Sequence, residues 1–300
     1  MEQTEVKEGL EHSQETVAGA IQPQGGGGGC GCQGASTKNI PPSPVYAIGK
    51  IEARFPSLAV EKEFAQAIGR EKTGGQQTDR QAFHTVLSQK QNRYLVHRLC
   101  WVFTVEGLET YLLQPREESG YDLLIEAIRP APSPIDLDVV VGLKGPLAPP
   151  QMCNGLMVPI VLFDQLYSFD REGLVKSIPR PKEIPEKQEG LFRASANELF
   201  ERIIQMADNA GATDEHRTLN YLAVRYPAIY ATASECHARN CSLTGVEVRP
   251  SRLSGVRKIL DVIFSYTHRE SDVTEKYFVR VDVTEEFPFL VTKLSPYYDR

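Results

Sequence analysis

Cys236, His237 and Cys241 form a Cys-His-x3-Cys group, and thiolate and imidazole are donors that suit zinc. The spacing is not a common zinc spacing, so a fourth ligand has to come from elsewhere. His216 is the first candidate and His268 the second. The same residues also suit a plainer role, with Cys236 a small apolar residue near a helix end and Cys241 at the start of a strand. Cys30 and Cys32, in Gly-Cys-Gly-Cys, offer thiols that can bind a soft metal or oxidise, or are incidental to a linker. Cys100 and Trp101 lie in an apolar run and read as core. Cys153 precedes Asn154-Gly155 in a loop and would need a base beside it to act as a nucleophile.

Carboxylates offer a second chemistry. Asp208, Asn209, Asp214, Glu215 and His216 cluster between two helical stretches, where they can serve as acid, base or metal ligand, or as caps and turn residues. Glu106, Glu109, Asp136 and Asp138 suit a two-carboxylate site and a hairpin with a strand edge equally well. There is no G-x-x-x-x-G-K-[ST], G-x-G-x-x-G after a strand, H-E-x-x-H or G-x-S-x-G. No residue is therefore assigned a catalytic or cofactor-binding role and no cofactor is expected; zinc at Cys236, His237, Cys241 and His216 is the one metal site these residues could offer.

The elements that must position these groups are legible in part. Residues 1–44 carry five glutamates against two lysines, an unbroken Gly25 to Gly29 run and Pro41, Pro42 and Pro44. Such a segment cannot bury enough apolar surface to order itself and reads as a disordered tail or linker. Val45 to Ile51 reads as a strand, 58–69 as a helix, and Asp79 as the cap of a short helix ending near Ser88, with Gly74 and Gly75 in the loop between. Leu99 to Val105 and Leu108 to Leu113 flank Glu106-Gly107, a hairpin signal. Asp122 to Ile128 reads as a short helix, Leu137 to Leu143 and Leu156 to Phe163 as strands, with Pro130, Pro132 and Pro134 in a loop.

Residues 176–190, with three prolines and no aromatic residue, are the best internal boundary. They separate a first sub-domain (45–175) from a second (191–300). In the second, Ala194 to Ala207 reads as a helix, Thr213 caps another, and Pro227 ends or kinks it. Strands are expected at Ser242 to Arg249, Ile259 to Tyr266 and Tyr277 to Val283, the last alternating like a strand with one wet face. The fold class is α+β in two sub-domains, the second with helices followed by an antiparallel β-meander.

The 300 residues are 41% hydrophobic and 24% charged, with a formal net charge of -6 and a pI near 5.6. An acidic chain without a Lys/Arg block is a poor generic nucleic-acid binder. No run approaches the roughly 18 apolar residues of a membrane helix, and the acidic start lacks the apolar core of a signal peptide. The protein is therefore read as cytoplasmic, with no nucleic-acid or membrane partner, and its six cysteines not as a disulfide scaffold.

Six stretches are long enough to compare with a family: Val45 to Pro56, Leu99 to Tyr111, Leu124 to Pro134, Asn154 to Ile160, Asp208 to Arg217 and Arg280 to Arg300. Together they resemble the C-terminal domain of the cyanobactin maturation proteases of the PatA/PatG type, over about residues 45–300. In that family the domain follows a subtilisin-like protease of ribosomal peptide natural product biosynthesis, and its own role is unassigned. No segment here resembles the subtilisin Asp, His and Ser blocks, so no family catalytic residue carries over. The resemblance implies a stand-alone domain of unknown function; the Gly-rich tether, the absent triad and the apolar-rich strands add the expectation of an accessory, interacting role without catalysis. Its partners would be a precursor peptide, a subtilisin-like maturation protease or a second copy of itself. An unrecognised metal-dependent peptide-modifying enzyme and a structural dimerisation or solubilising domain are the alternatives.

Overall fold

The computed structural model describes residues 42–70, 79–131, 133, 135–178, 189–206 and 208–298. The tail up to residue 41 with Cys30 and Cys32, the Gly74-Gly75 loop, Pro132, Pro134 and residues 179–188 of the expected boundary lie outside them.

The first half is a closed barrel. β1 (Ser43–Arg54) changes partner midway, pairing through Ser43 to Gly49 with β4 (Asp136–Leu147) and through Lys50 to Arg54 with β2 (Cys100–Val105). Gly49 sits at the change, where a Cβ would stand 2.2 Å from the Thr104 carbonyl oxygen. The bend therefore requires glycine. The Glu106-Gly107 turn, both residues at positive φ, joins β2 to β3 (Leu108–Pro115) as the hairpin signal predicts. β3 then pairs in parallel with β5 (Pro159–Asp170), and β5 pairs antiparallel with β4. The resulting order β1-β2-β3-β5-β4, closed on itself, is that of an OB-type barrel.

Alternation divides the barrel's residues. Val45, Ala47, Trp101, Phe103, Tyr111 and Phe163 share the interior cluster with Leu124 and Ile125 of α4 (Gly120–Ala127). Each such side chain stabilises the fold by about 1.5–3 kcal/mol on leaving water. α1 (Leu58–Arg70), α2 (Asp79–Leu87) and α3 (Arg93–Val96) add to this cluster. Tyr46, Ile48, Val139 and Val141 face the other way, into a cluster shared with the second half.

That half begins with α5 (Arg171–Ser177), capped by Asp170 accepting from the Gly173 amide, and α6 (Glu189–Ile204), which starts within the expected boundary. α7 (Asp214–Arg225) is capped by Thr213 as read, with Asp214 and Glu215 in its first turn, where negative charge suits the dipole. α8 (Ala228–Ala238) follows Pro227, so that proline ends one helix and opens the next. The sheet is a meander in the order β6-β7-β8-β9, all antiparallel: β6 (Cys241–Pro250), β7 (Ile259–His268), β8 (Thr274–Asp282) and β9 (Phe289–Tyr297). Helices followed by an antiparallel meander are as expected; β9 is additional. Val262, Phe264, Val279 and Val281 put one face in the shared core. Among the described residues no helix is long and apolar enough to cross a membrane.

Candidate functional sites

The end of α8 and the start of β6 carry Cys236, His237 and Cys241, three of the four candidate zinc ligands, without bringing their side chains together as a metal site. Asn240, at φ 62°, ends the helix in the left-handed conformation common there, and brings Cys241 back beside the last turn of α8. Cys236 and Cys241 are both buried and both free thiols. Arg239 spans them: its Nη2 lies 3.5 Å from Cys236 Sγ, and its carbonyl lies 3.7 Å from Cys241 Sγ. Burial pushes the Cys236 thiol up to about 11, against the opposing pull of Arg239. A metal bound there would have to displace that proton. His237 and Cys241 line a narrow cleft of about 20 Å³ with Glu198 and Tyr266.

His216 stands in the first turn of α7, within the field of Glu215 and Asp208, and burial lowers its pKa. Its Nδ1 is buried without a partner among the described residues. Among the described residues, no three His, Cys, Asp or Glu side chains come together so as to hold a metal. Zinc at the α8–β6 turn would need further ligands.

The four barrel carboxylates separate into individual roles. Glu106 occupies the hairpin turn, and Glu109 pairs with Arg54. Asp136 meets Arg129 at 2.5 Å and accepts from the Ser133 amide. Asp138 is buried, which raises its pKa, and it accepts from the Ile51 amide at 2.8 Å and the Ser168 hydroxyl at 2.5 Å. Ile51 follows the point where β1 leaves β4, so Asp138 satisfies a backbone donor at the barrel seam.

Two features have no local signal in the sequence. Cys100 and Cys153 form a disulfide between residues 53 positions apart, where the residues alone had suggested one core and one loop cysteine. It fastens the 148–158 loop over the outer face of β2 and β3, where Val102, Leu112 and Ala148 form a small separate cluster. In OB-type barrels that face is the usual ligand platform; here the chain's own loop occupies it.

The second is a carboxyl pair. Arg116, at the end of the barrel hairpin, contacts Asp164 of β5 at 3.0 Å and Glu286 of the β8–β9 turn at 3.4 Å. Burial, with the hydrogen bond and charge of Asp164, pushes Glu286 up to about 7 despite Arg116. Glu286 Oε1 is buried with no donor among the described residues. A carboxyl raised from 4.5 in the unfolded chain to about 7 contributes stability below pH 4.5 that is lost as pH rises through 7. The melting temperature should therefore fall between pH 5 and 8. Glu286→Gln should flatten that fall and stabilise the protein above pH 7, as differential scanning calorimetry would show.

Comparison with known proteins adds the relationships. The family described as PatG C-terminal matches residues 186–297, from just before α6 to the end of β9. A search of curated proteins gives no match. Among solved structures, the "PatG Domain of Unknown Function" superposes with a TM-score of 0.68 at 20% identity, covering 85% of this chain and 98% of that one. The α6-to-β9 half thus matches the PatG C-terminal family, and the fold of barrel and meander together is that of the PatG domain of unknown function.

Proposed function

We propose that the chain is a non-catalytic accessory domain of cyanobactin-type ribosomal peptide maturation, which holds the precursor peptide or a subtilisin-like maturation protease. The observation that carries this reading is the likeness to the PatG domain across both halves of the fold. The residues support it: the barrel interior is filled by Trp101, Phe103, Tyr111 and Phe163, and the barrel carboxylates are engaged in ion pairs and seam contacts. Partner binding would then use outer surfaces.

The test is calorimetric titration of a synthetic precursor peptide and of a maturation protease into the full chain, with intact-mass analysis of the peptide afterwards. The expected result is saturable binding with no change in peptide mass. A shifted mass or a new fragment would make the domain an enzyme, and repeating the incubation with added zinc would then test the Cys236, His237 and Cys241 turn. Heat from neither partner would overturn the reading.

A further inference from the structure

The solvent face of the meander carries a basic row. In register across the strands stand Arg249 on β6, Asp261 on β7 and Arg280 on β8. With Arg252, Tyr297 and Tyr298 they line an open cleft of about 460 Å³. Three guanidiniums face one carboxylate there, in a chain whose formal charge is -6.

Arg280 and Arg249 are held before any ligand arrives. Arg280 lies 4.8 Å over the Phe278 ring, and its Nε donates to Asp261 at 2.8 Å and Ser251 at 3.2 Å. Arg249 lies 5.2 Å over Tyr297 and donates to its hydroxyl. Phe278 and Tyr297 meet edge to face at 5.6 Å, so one aromatic pair positions both cations. Asp261 is buried and committed to Arg280. Glu247, the other nearby carboxylate, stands 3.8 Å from Arg249 on the exposed strand edge. Arg252 has no hydrogen-bond or ion-pair partner among the described residues, and the Arg280 terminal nitrogens have no acceptor among them.

We infer that this cleft is an oxyanion-binding site whose ligand is a carboxylate carried by a peptide. A planar guanidinium fork matches a carboxylate with two parallel hydrogen bonds, and preorganised cations lose less freedom on binding. The rings of Tyr297 and Tyr298 flank the cations and offer apolar walls to a peptide chain, which free phosphate would not use. The peptide class rests on the accessory role proposed above; the cation geometry does not.

Four probes separate the sources of the charge by calorimetry on the full chain. They are a short glutamate-bearing peptide acetylated and amidated at its ends, its glutamine counterpart, an uncharged peptide with a free C-terminal carboxylate, and inorganic phosphate. Binding is expected from the glutamate peptide, the free-carboxylate peptide or both, and not from the glutamine peptide. Arg252→Glu, which breaks no internal contact, should weaken it at least about tenfold, and raised salt should weaken it further. Phosphate alone binding, equal binding of the glutamine peptide, or Arg252→Glu without effect would overturn the site. If the precursor peptide binds while Arg252→Glu changes nothing, the accessory role stands and this assignment fails. If no precursor or protease binds but the carboxylate probe does, the reverse holds.

Discussion

Arg217→Met should cost about 3–5 kcal/mol of stability, a large fraction of what holds a domain of this kind folded. Arg217 is among the largest fully buried side chains of the molecule. From α7 it donates to the backbone carbonyls of Val283 at 2.9 Å, Glu286 at 3.1 Å, and Glu285. It also meets Asp214 at 3.1 Å. One guanidinium thus satisfies the β8–β9 turn from inside, and its loss leaves buried acceptors without donors. Methionine keeps most of the volume, so the measured loss isolates the polar contacts. Arg217→Lys should recover only part of it, because a single ammonium cannot reach the same set of carbonyls with a fork's geometry. Urea titration followed by circular dichroism would measure both. The same turn carries Glu286, so Arg217→Met should also weaken the pH dependence assigned to that carboxyl.

Gly211→Ala should cost about 3 kcal/mol, through two mechanisms at one position. Gly211 has φ 69°, and a Cβ there would lie 2.2 Å from the Tyr46 carbonyl oxygen and 2.6 Å from Ala47 Cα. The left-handed conformation costs a non-glycine residue about 1–2 kcal/mol, and overpacking adds about 1–3 kcal/mol. The approach is close because the segment between α6 and α7 docks on β1. The Gly211 carbonyl accepts from the Tyr46 amide at 2.9 Å, Asn220 donates to the Tyr46 carbonyl at 2.8 Å, and Asn209 and Asn220 bond each other. Tyr111 adds a hydroxyl bond to the Ala210 carbonyl at 2.8 Å. The polar cluster at Asp208 to His216, read from sequence as catalytic groups or caps, thus includes the joint between barrel and helices. Thermal denaturation of Gly211→Ala beside Gly190→Ala, where a Cβ meets nothing within 4 Å, separates the clash from generic glycine effects.

Local signals carried well from sequence to structure. Thr213 and its acidic first turn fix the start of α7, Glu106-Gly107 fixes the hairpin, and the alternation of β8 turns Val279 and Val281 to the core. Each depends on neighbours within a few residues. Barrel closure does not, because it joins residues 43–49 to 138–144, and no local pattern specifies that pairing. Helix up to Cys236 was legible, but sequence left open whether Pro227 kinks one helix or, as in the structure, separates α7 from α8. β9 was hidden by Pro296, tolerated because β9 is an edge strand. The cysteine pair and the Asp164–Glu286 pair were invisible for the same reason as the barrel: their members are distant in sequence. The basic row was hidden differently. Arg249, Arg252 and Arg280 are ordinary singly; the register of β6, β7 and β8 brings Arg280 beside Arg249, and Arg252 follows in the turn after β6.

Hydrogen–deuterium exchange of the full chain, with and without a precursor peptide, tests the accessory role most directly because it reads binding and location together. The account predicts protection on β6, β8 and β9 around Arg249, Arg280 and Tyr297, its loss in Arg252→Glu, and an unaltered peptide mass. Protection nowhere in the chain with saturating peptide or with a maturation protease, or a peptide recovered with changed mass, would contradict it.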